Sequence, residues 1–142
     1  MATPSQNPNI VNVTVIKGNT AYIVSSGTTA TTNWTCDGAS GGATALTGLT
    51  PPTATVNKID NIVVSNTSSA TVTCTVAISN NSTFASGTAY PIASAISIPP
   101  NASLIVTDKT TSFYLTENQS VGLTAGTTGG VLTAIASFES IT

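Results

Sequence analysis

The stretch A-T-V-T-C-T-V-A-I at residues 70–78 sets Val, Cys, Val and Ile on one face of an extended chain and Thr, Thr, Thr and Ala on the other. Such alternation is typical of a strand with one buried side. Similar β-branched runs recur along the chain between short turns that are rich in Gly, Pro and Asn. The sequence therefore predicts an all-β fold, a two-sheet antiparallel β-sandwich of about eight to ten strands, jelly-roll-like or immunoglobulin-like.

The remaining strands and turns are predicted by the same reasoning. We expect strands at residues 10–16, 20–24, 31–36, 55–64, 70–78, 89–98, 104–106, 113–115, 119–125 and 131–138. We expect tight turns at residues 17–19, 80–82 and 108–110, and a hairpin turn at residues 66–69. The Gly- and Pro-rich segment 37–53 is predicted to be a loop or a broken edge strand.

The length of 142 residues fits one domain. Residues 1–9 contain two prolines and no hydrophobic periodicity, so we interpret them as a short extended N-terminal arm. Residues 10–142 are predicted to form a single β-sandwich domain. The N-terminus has neither the basic nor the apolar region of a secretory signal, and no apolar run is long enough for a membrane-spanning helix. We therefore expect synthesis in the cytoplasm and no membrane partner.

The composition argues against catalysis. Charged residues make up 6% of the chain, against about 25% in an average soluble domain. The chain has no His and no Arg, which excludes histidine-based nucleophile systems and bidentate phosphate clamps. Three lysines are too few to neutralise a nucleic-acid backbone. We expect no enzyme activity, no nucleic-acid partner and no cofactor.

Individual residues give no site either. The five acids are Asp37, Asp60, Asp108, Glu117 and Glu139, and most of them fall at turns or strand ends, where solvated carboxylates are common. They lack the spacing of a known calcium loop, so no catalytic, cofactor-binding or metal-binding residue is predicted.

Two cysteines and a few aromatic residues are better explained by the core. Cys36 and Cys74 both fall on inward positions, with Trp34 on the same face as Cys36, and we expect two buried thiols. A disulfide between them stays open as an alternative. The chain has one Trp, three Tyr and three Phe, which a sandwich of this size needs for packing, so glycan binding is a lesser expectation.

The second half of the chain carries a recognisable order of motifs. They are D-N-I-V-V-S-N-T-S-S-A-T-V-T-C-T-V-A-I (60–78), S-I-P-P-N-A-S-L-I-V (97–106), D-K-T-T-S-F-Y-L-T-E-N-Q-S-V (108–121) and S-F-E-S-I (137–141). This order resembles the small β-sandwich virion proteins of tailed bacteriophages, including those of cyanobacterial and marine phages. The resemblance covers roughly residues 55–142. The family pattern has two acids where this chain has Glu139 and Ser140.

The resemblance implies a structural part of a virion, assembled in the host cytoplasm, whose partners are the major capsid protein or other virion proteins. The sparse surface charge favours a capsid decoration or cement protein that works as a homo-oligomer, which we expect to be a trimer. We also expect the N-terminal arm to lie across a neighbouring subunit. Two alternatives stay open. One is a tail, neck or fibre component with receptor or glycan binding, and the other is a secreted adhesin or surface-layer module.

Overall fold

The computed structural model describes residues 15–36, 49–129 and 131–142, which contain nine strands and no α-helix. The strands are β1 (Ile16–Ser25), β2 (Thr35–Cys36), β3 (Val56–Asn66), β4 (Val72–Ser79), β5 (Ala89–Ile98), β6 (Ser103–Thr107), β7 (Phe113–Leu115), β8 (Ser120–Ala125) and β9 (Leu132–Ile141). The predicted all-β, two-sheet antiparallel sandwich is confirmed. The arm predicted at residues 1–9, most of the strand predicted at residues 10–16 and most of the loop predicted at residues 37–53 lie outside the described residues.

The two sheets differ in size. The larger sheet has the strand order β2-β1-β9-β3-β6, and β7 pairs with a second part of β3. The smaller sheet has the order β5-β4-β8. All the strand pairs within them are antiparallel. Strand β9 lies in the middle of the larger sheet, where each of its ten residues has a partner on β1 and on β3.

The strand pairs are nested along the chain. Strand β1 pairs with β9, Thr31 forms a single bridge to Leu123 of β8, β3 pairs with β7 and β6, and β4 pairs with β5. The chain is therefore one long hairpin whose tip is the β4–β5 connection, and the hairpin is rolled so that successive pairs alternate between the two sheets. This is the connectivity of a jelly roll rather than of an immunoglobulin-like sandwich.

The core lies between the sheets and follows the alternation of β1, β3 and β9, while β8 is buried at nearly every position. In β4, Val72, Cys74 and Val76 are at most 1% exposed, as their spacing predicts. They pack in one cluster with inward residues of the larger sheet, including Ala134, Ala136 and Phe138 of β9. Trp34 is also buried in the core, and its indole N–H donates to the backbone oxygen of Val121 at 3.0 Å. The polar end of this large side chain is thus satisfied inside the sandwich.

Three predicted details are wrong or incomplete. Lys17–Asn19 is not a turn, because β1 continues through it with partners on β9 from Ser140 to Phe138. The strand predicted at residues 31–36 is reduced to the bridge at Thr31 and the two residues of β2. Residues 66–69 do not form a hairpin turn, because β3 lies in the larger sheet and β4 in the smaller one. This turn is instead a corner between the sheets.

Asn66 holds that corner. Its side chain is buried, and the amide Nδ2 donates to the backbone oxygens of Ala70 at 2.7 Å and of Ile98 at 2.9 Å. The amide oxygen accepts from the backbone N–H and the hydroxyl of Ser68. The backbone of Asn66 bonds to Ala102 and Asn101 in the β5–β6 connection. One residue at the end of β3 is therefore bonded to the corner and to the end of β5 in the opposite sheet.

We predict that Asn66→Ala lowers the free energy of unfolding by about 3 kcal/mol or more. The change removes four hydrogen bonds, of which the one to the Ile98 carbonyl is buried, and each hydrogen bond contributes about 0.5–1.5 kcal/mol to stability. Asn61→Ala is the control, because Asn61 lies on the outward face of the same strand and bonds to no other described side chain. Urea denaturation measures both variants, and equal midpoints would contradict the role of Asn66.

Candidate functional site

An apolar row crosses the outward face of the larger sheet. The register places Tyr22 of β1 beside Ile135 of β9, Ile135 beside Val63 of β3, and Val63 beside Ile105 of β6. These four residues are called the outer row. Ile105 is 66% exposed, Ile135 is 52% exposed and Tyr22 is 36% exposed, while Val63 is half-buried. The solvent-facing side of an antiparallel sandwich normally carries polar residues, so an aligned apolar row across four strands needs an explanation.

Small polar residues flank the outer row on both sides. On one side Thr133, Ser65 and Ser103 are cross-strand neighbours, and the hydroxyls of the two serines lie 2.7 Å apart. On the other side, Ser137 lies between Thr20 and Asn61. The outer row and its two flanking rows contain no charged residue. The result is a low apolar ridge on an uncharged sheet face, with an exposed Val24 at its β1 end.

Charges border the flanking row of Ser137, because Asp60, Asp108 and Lys109 line a small pocket together with Asn61 and Ser137. Lys58 is paired across the strands with Glu139, and its ammonium group lies 3.0 Å from Asp60 and 3.7 Å from Glu139. A hydrogen bond to Asp60 and the attraction of the two carboxylates raise the pKa of Lys58. Nothing in the sequence associates these two acids, because only the β3–β9 register brings them to one lysine. The ammonium group of Lys58 compensates the charge of the two carboxylates.

Asp108 lies near Asp60, since both line that pocket, whereas Glu117 does not line it. Asp108 accepts from the hydroxyl and backbone of Thr110 in the predicted turn, and these bonds lower the pKa of its carboxyl group. Glu117 accepts from the backbone N–H of Ala54 at 3.3 Å. Asp37 lies outside the described residues. Among the described residues, no group of three or more acids or cysteines is placed to hold a metal ion.

A groove of about 800 Å³ lies on the side of the smaller sheet. Its polar walls are formed by Thr29, Thr32, Asn33, Thr50, Ser82 and Thr83. Phe84, Pro51 and Pro52 add apolar surface, and none of the described residues that line the groove is charged. This groove could not be predicted from the sequence, because its walls come from three separate segments. Such a volume falls in the range of small-molecule sites, about 300–1,000 Å³.

The two cysteines are thiols of the core. Cys36 and Cys74 are both buried, as predicted, and no disulfide joins them. Burial raises the pKa of the Cys74 thiol to about 11, because the apolar surroundings disfavour the thiolate. Neither position offers the exposed, electropositive setting of a reactive cysteine.

Comparison with protein families, with curated proteins and with solved structures finds no match to this chain. The described residues contain no helix that is long and apolar enough to cross a membrane. The features that bear on function are therefore the outer row, the groove and the composition. The virion context implied by the motif order stays a prediction.

We predict that the native protein reacts very slowly with dithionitrobenzoate at pH 8. With a pKa of about 11, only about one Cys74 thiol in 1,000 is ionised at that pH, and the side chain is inaccessible. In guanidinium chloride both thiols should react at once. Absorbance of the released thiolate measures this, and an unfolded chain with no reactive thiol would instead indicate a disulfide and favour the secreted alternative.

Proposed function

We propose that the protein is a non-enzymatic structural component of a bacteriophage virion, and that it decorates or cements the capsid shell. The observation that carries the proposal is the outer row, a continuous apolar ridge over four strands whose flanking rows bear no charge. A protein that binds by buried area rather than by chemistry needs such a surface. The motif order of residues 60–141 supplies the virion context.

The ridge suits a flat partner such as a shell subunit. Burying apolar surface contributes about 25 cal/mol per Å² removed from water. The flanking serines and threonines are small, so a partner can approach the sheet closely without desolvating a charge. The Lys58 cluster remains at the margin, where an ion pair can stay hydrated. On a symmetric shell the same modest contact is repeated many times, and the stabilisation accumulates.

The scarcity of charge over the rest of the chain supports the same function. From Asn61 to Thr107 the sequence contains no Lys, Asp or Glu. A surface this poor in charge gives a free protein little protection from self-association. In a particle, much of that surface is covered by neighbouring subunits, and a homo-oligomer such as the expected trimer covers part of it.

The tail, neck or fibre alternative is favoured by one specific observation, the uncharged groove. A receptor-binding part of a particle needs a concave polar site, and a shell cement does not. The two candidate functions use different faces of the sandwich and can be tested separately.

Copy number distinguishes decoration from a tail or neck role. We expect quantitative mass spectrometry of purified particles to find the protein at parity with the major shell protein or at a simple symmetric fraction of it. A small fraction of the shell count would indicate a tail, neck or fibre part. Absence from the particles would contradict a virion role altogether.

We predict that Ile135→Lys abolishes attachment to particles that lack the protein, because it places a charge in the middle of the outer row. Burying an unpaired ammonium group costs far more free energy than the apolar contact contributes. Ser97→Lys is the matched control, since it adds the same charge at an exposed position of β5 in the other sheet. Sedimentation with the particles measures attachment, and urea midpoints confirm that both variants fold. Equal attachment of the two variants would show that the outer row is not the contact.

A further inference from the structure

The groove exists because the strand beside β8 is interrupted. Thr31 and Leu123 exchange two backbone hydrogen bonds of 2.8 and 2.9 Å, which begin a ladder along the edge of β8. The ladder then stops. The backbone N–H of Trp34 donates to the oxygen of Thr32 at 3.0 Å instead of to β8. The next carbonyl of β8, that of Val121, accepts from the indole N–H of Trp34 rather than from a strand backbone. A regular strand would have continued along this edge. The side chains of residues 32 and 33 instead form one wall of an open groove.

The polar side chains of the groove have no partners in the described part of the chain. None of these side chains forms a hydrogen bond to another described residue. They belong to Thr29, Thr32, Asn33, Thr50, Ser82 and Thr83. The hydroxyl oxygen of Thr50 is buried and unpartnered. An unsatisfied buried hydroxyl is costly and uncommon in folded proteins. The Thr50 hydroxyl lies beneath the surface, whereas the unused donors and acceptors of residues 29–33 and 82–83 line one concave surface.

Several hydroxyl groups elsewhere in the molecule are used internally. Thr107 and Thr111 bond to each other at 2.8 Å, and Thr110 bonds to Asp108. The hydroxyl of Ser120 donates to the backbone oxygen of Asn81 at 2.7 Å. These turns therefore consume their own polar groups, whereas the groove does not.

We infer that the groove binds a short uncharged saccharide. Hydroxyl and carboxamide side chains donate and accept, which matches the hydroxyls of a sugar. The described lining offers no counter-charge to a phosphate, a carboxylate or an amine, so charged ligands would lose hydration without compensation. Phe84, Pro51 and Pro52 supply apolar surface for the C–H face of a pyranose ring. The inference concerns the groove alone and stands whether or not the outer row attaches the protein to a shell.

The aromatic side of the groove is held in place by β8. An added Cβ at Gly122 would lie 2.8 Å from the ring of Phe84, so the ring packs directly on this glycine. The hydroxyl of Ser79 donates to the backbone oxygen of Phe84 at 3.1 Å and fixes the turn that carries the ring. A ring that is positioned before binding loses little conformational freedom when a sugar stacks on it.

The test uses saturation-transfer NMR on the full chain with four neutral probes: maltotriose, cellotriose, chitotriose and mannotriose. We expect at least one probe to receive saturation from the protein. Thr32→Val keeps the side-chain shape and removes one hydroxyl. It should raise the dissociation constant of that probe about tenfold. The double variant Thr32→Val/Asn33→Ala should abolish transfer. Thr20→Val, on the outward face of the larger sheet, is the matched control and should bind as the unaltered protein does.

Two results would overturn the inference. One is no saturation transfer to any of the four probes. The other is transfer that persists unchanged in the double variant, since binding would then lie elsewhere on the molecule. Thermal unfolding of each variant establishes that it is folded, and Asn33→Ala alone serves as the second variant if the double variant does not fold. Attachment to particles is measured independently with Ile135→Lys, so failure of one proposal leaves the other intact.

Discussion

The corner at Asn66 is the constraint on which the sandwich depends. A jelly roll requires the chain to leave one sheet and enter the other, and each crossing exposes backbone groups that no ladder can pair. Here one buried amide satisfies carbonyls at the corner and at the end of β5. With the corner fixed, β3 and β4 present their apolar faces to each other, and the outer row necessarily points to the opposite side. The orientation of the outer row therefore follows from how the core is closed.

Most of the fold class could be predicted from the sequence, because the side-chain period of a strand is visible in one dimension. The alternation of β4 identified Val72, Cys74 and Val76 correctly as buried. It was wrong at Ala77, which was expected to face outward but is buried, and Ile78 is only partly buried. The partners of each strand could not be predicted, since a polar turn such as Asn66–Ser69 looks the same whether it closes a hairpin or turns a corner. At Lys17–Asn19 a weak turn signal was outweighed by the continuous ladder with β9.

The candidate sites were largely hidden from the sequence for the same reason. Tyr22, Val63, Ile105 and Ile135 are far apart along the chain and become one row only through the registers of three strand pairs. The association of Asp60 and Glu139 with Lys58 depends on the β3–β9 register and a bulge in β3. The sequence does contain a signal for the outer row, because large apolar residues occupy outward positions of four strands. Only the strand registers of the structure show that these residues lie side by side.

The nested pairing also governs when the protein can fold. Strand β9 is the last described strand to be synthesised. In the sheet, however, it lies between β1, the first described strand, and β3, the third. While the ribosome is still short of residue 141, β1 and β3 have no common neighbour and their apolar faces stay uncovered. The larger sheet can therefore reach its native pairing only after β9 has been made, and its many long-range contacts form slowly. Until then the unfinished chain, which is poor in charge, exposes apolar strand faces that are prone to aggregation.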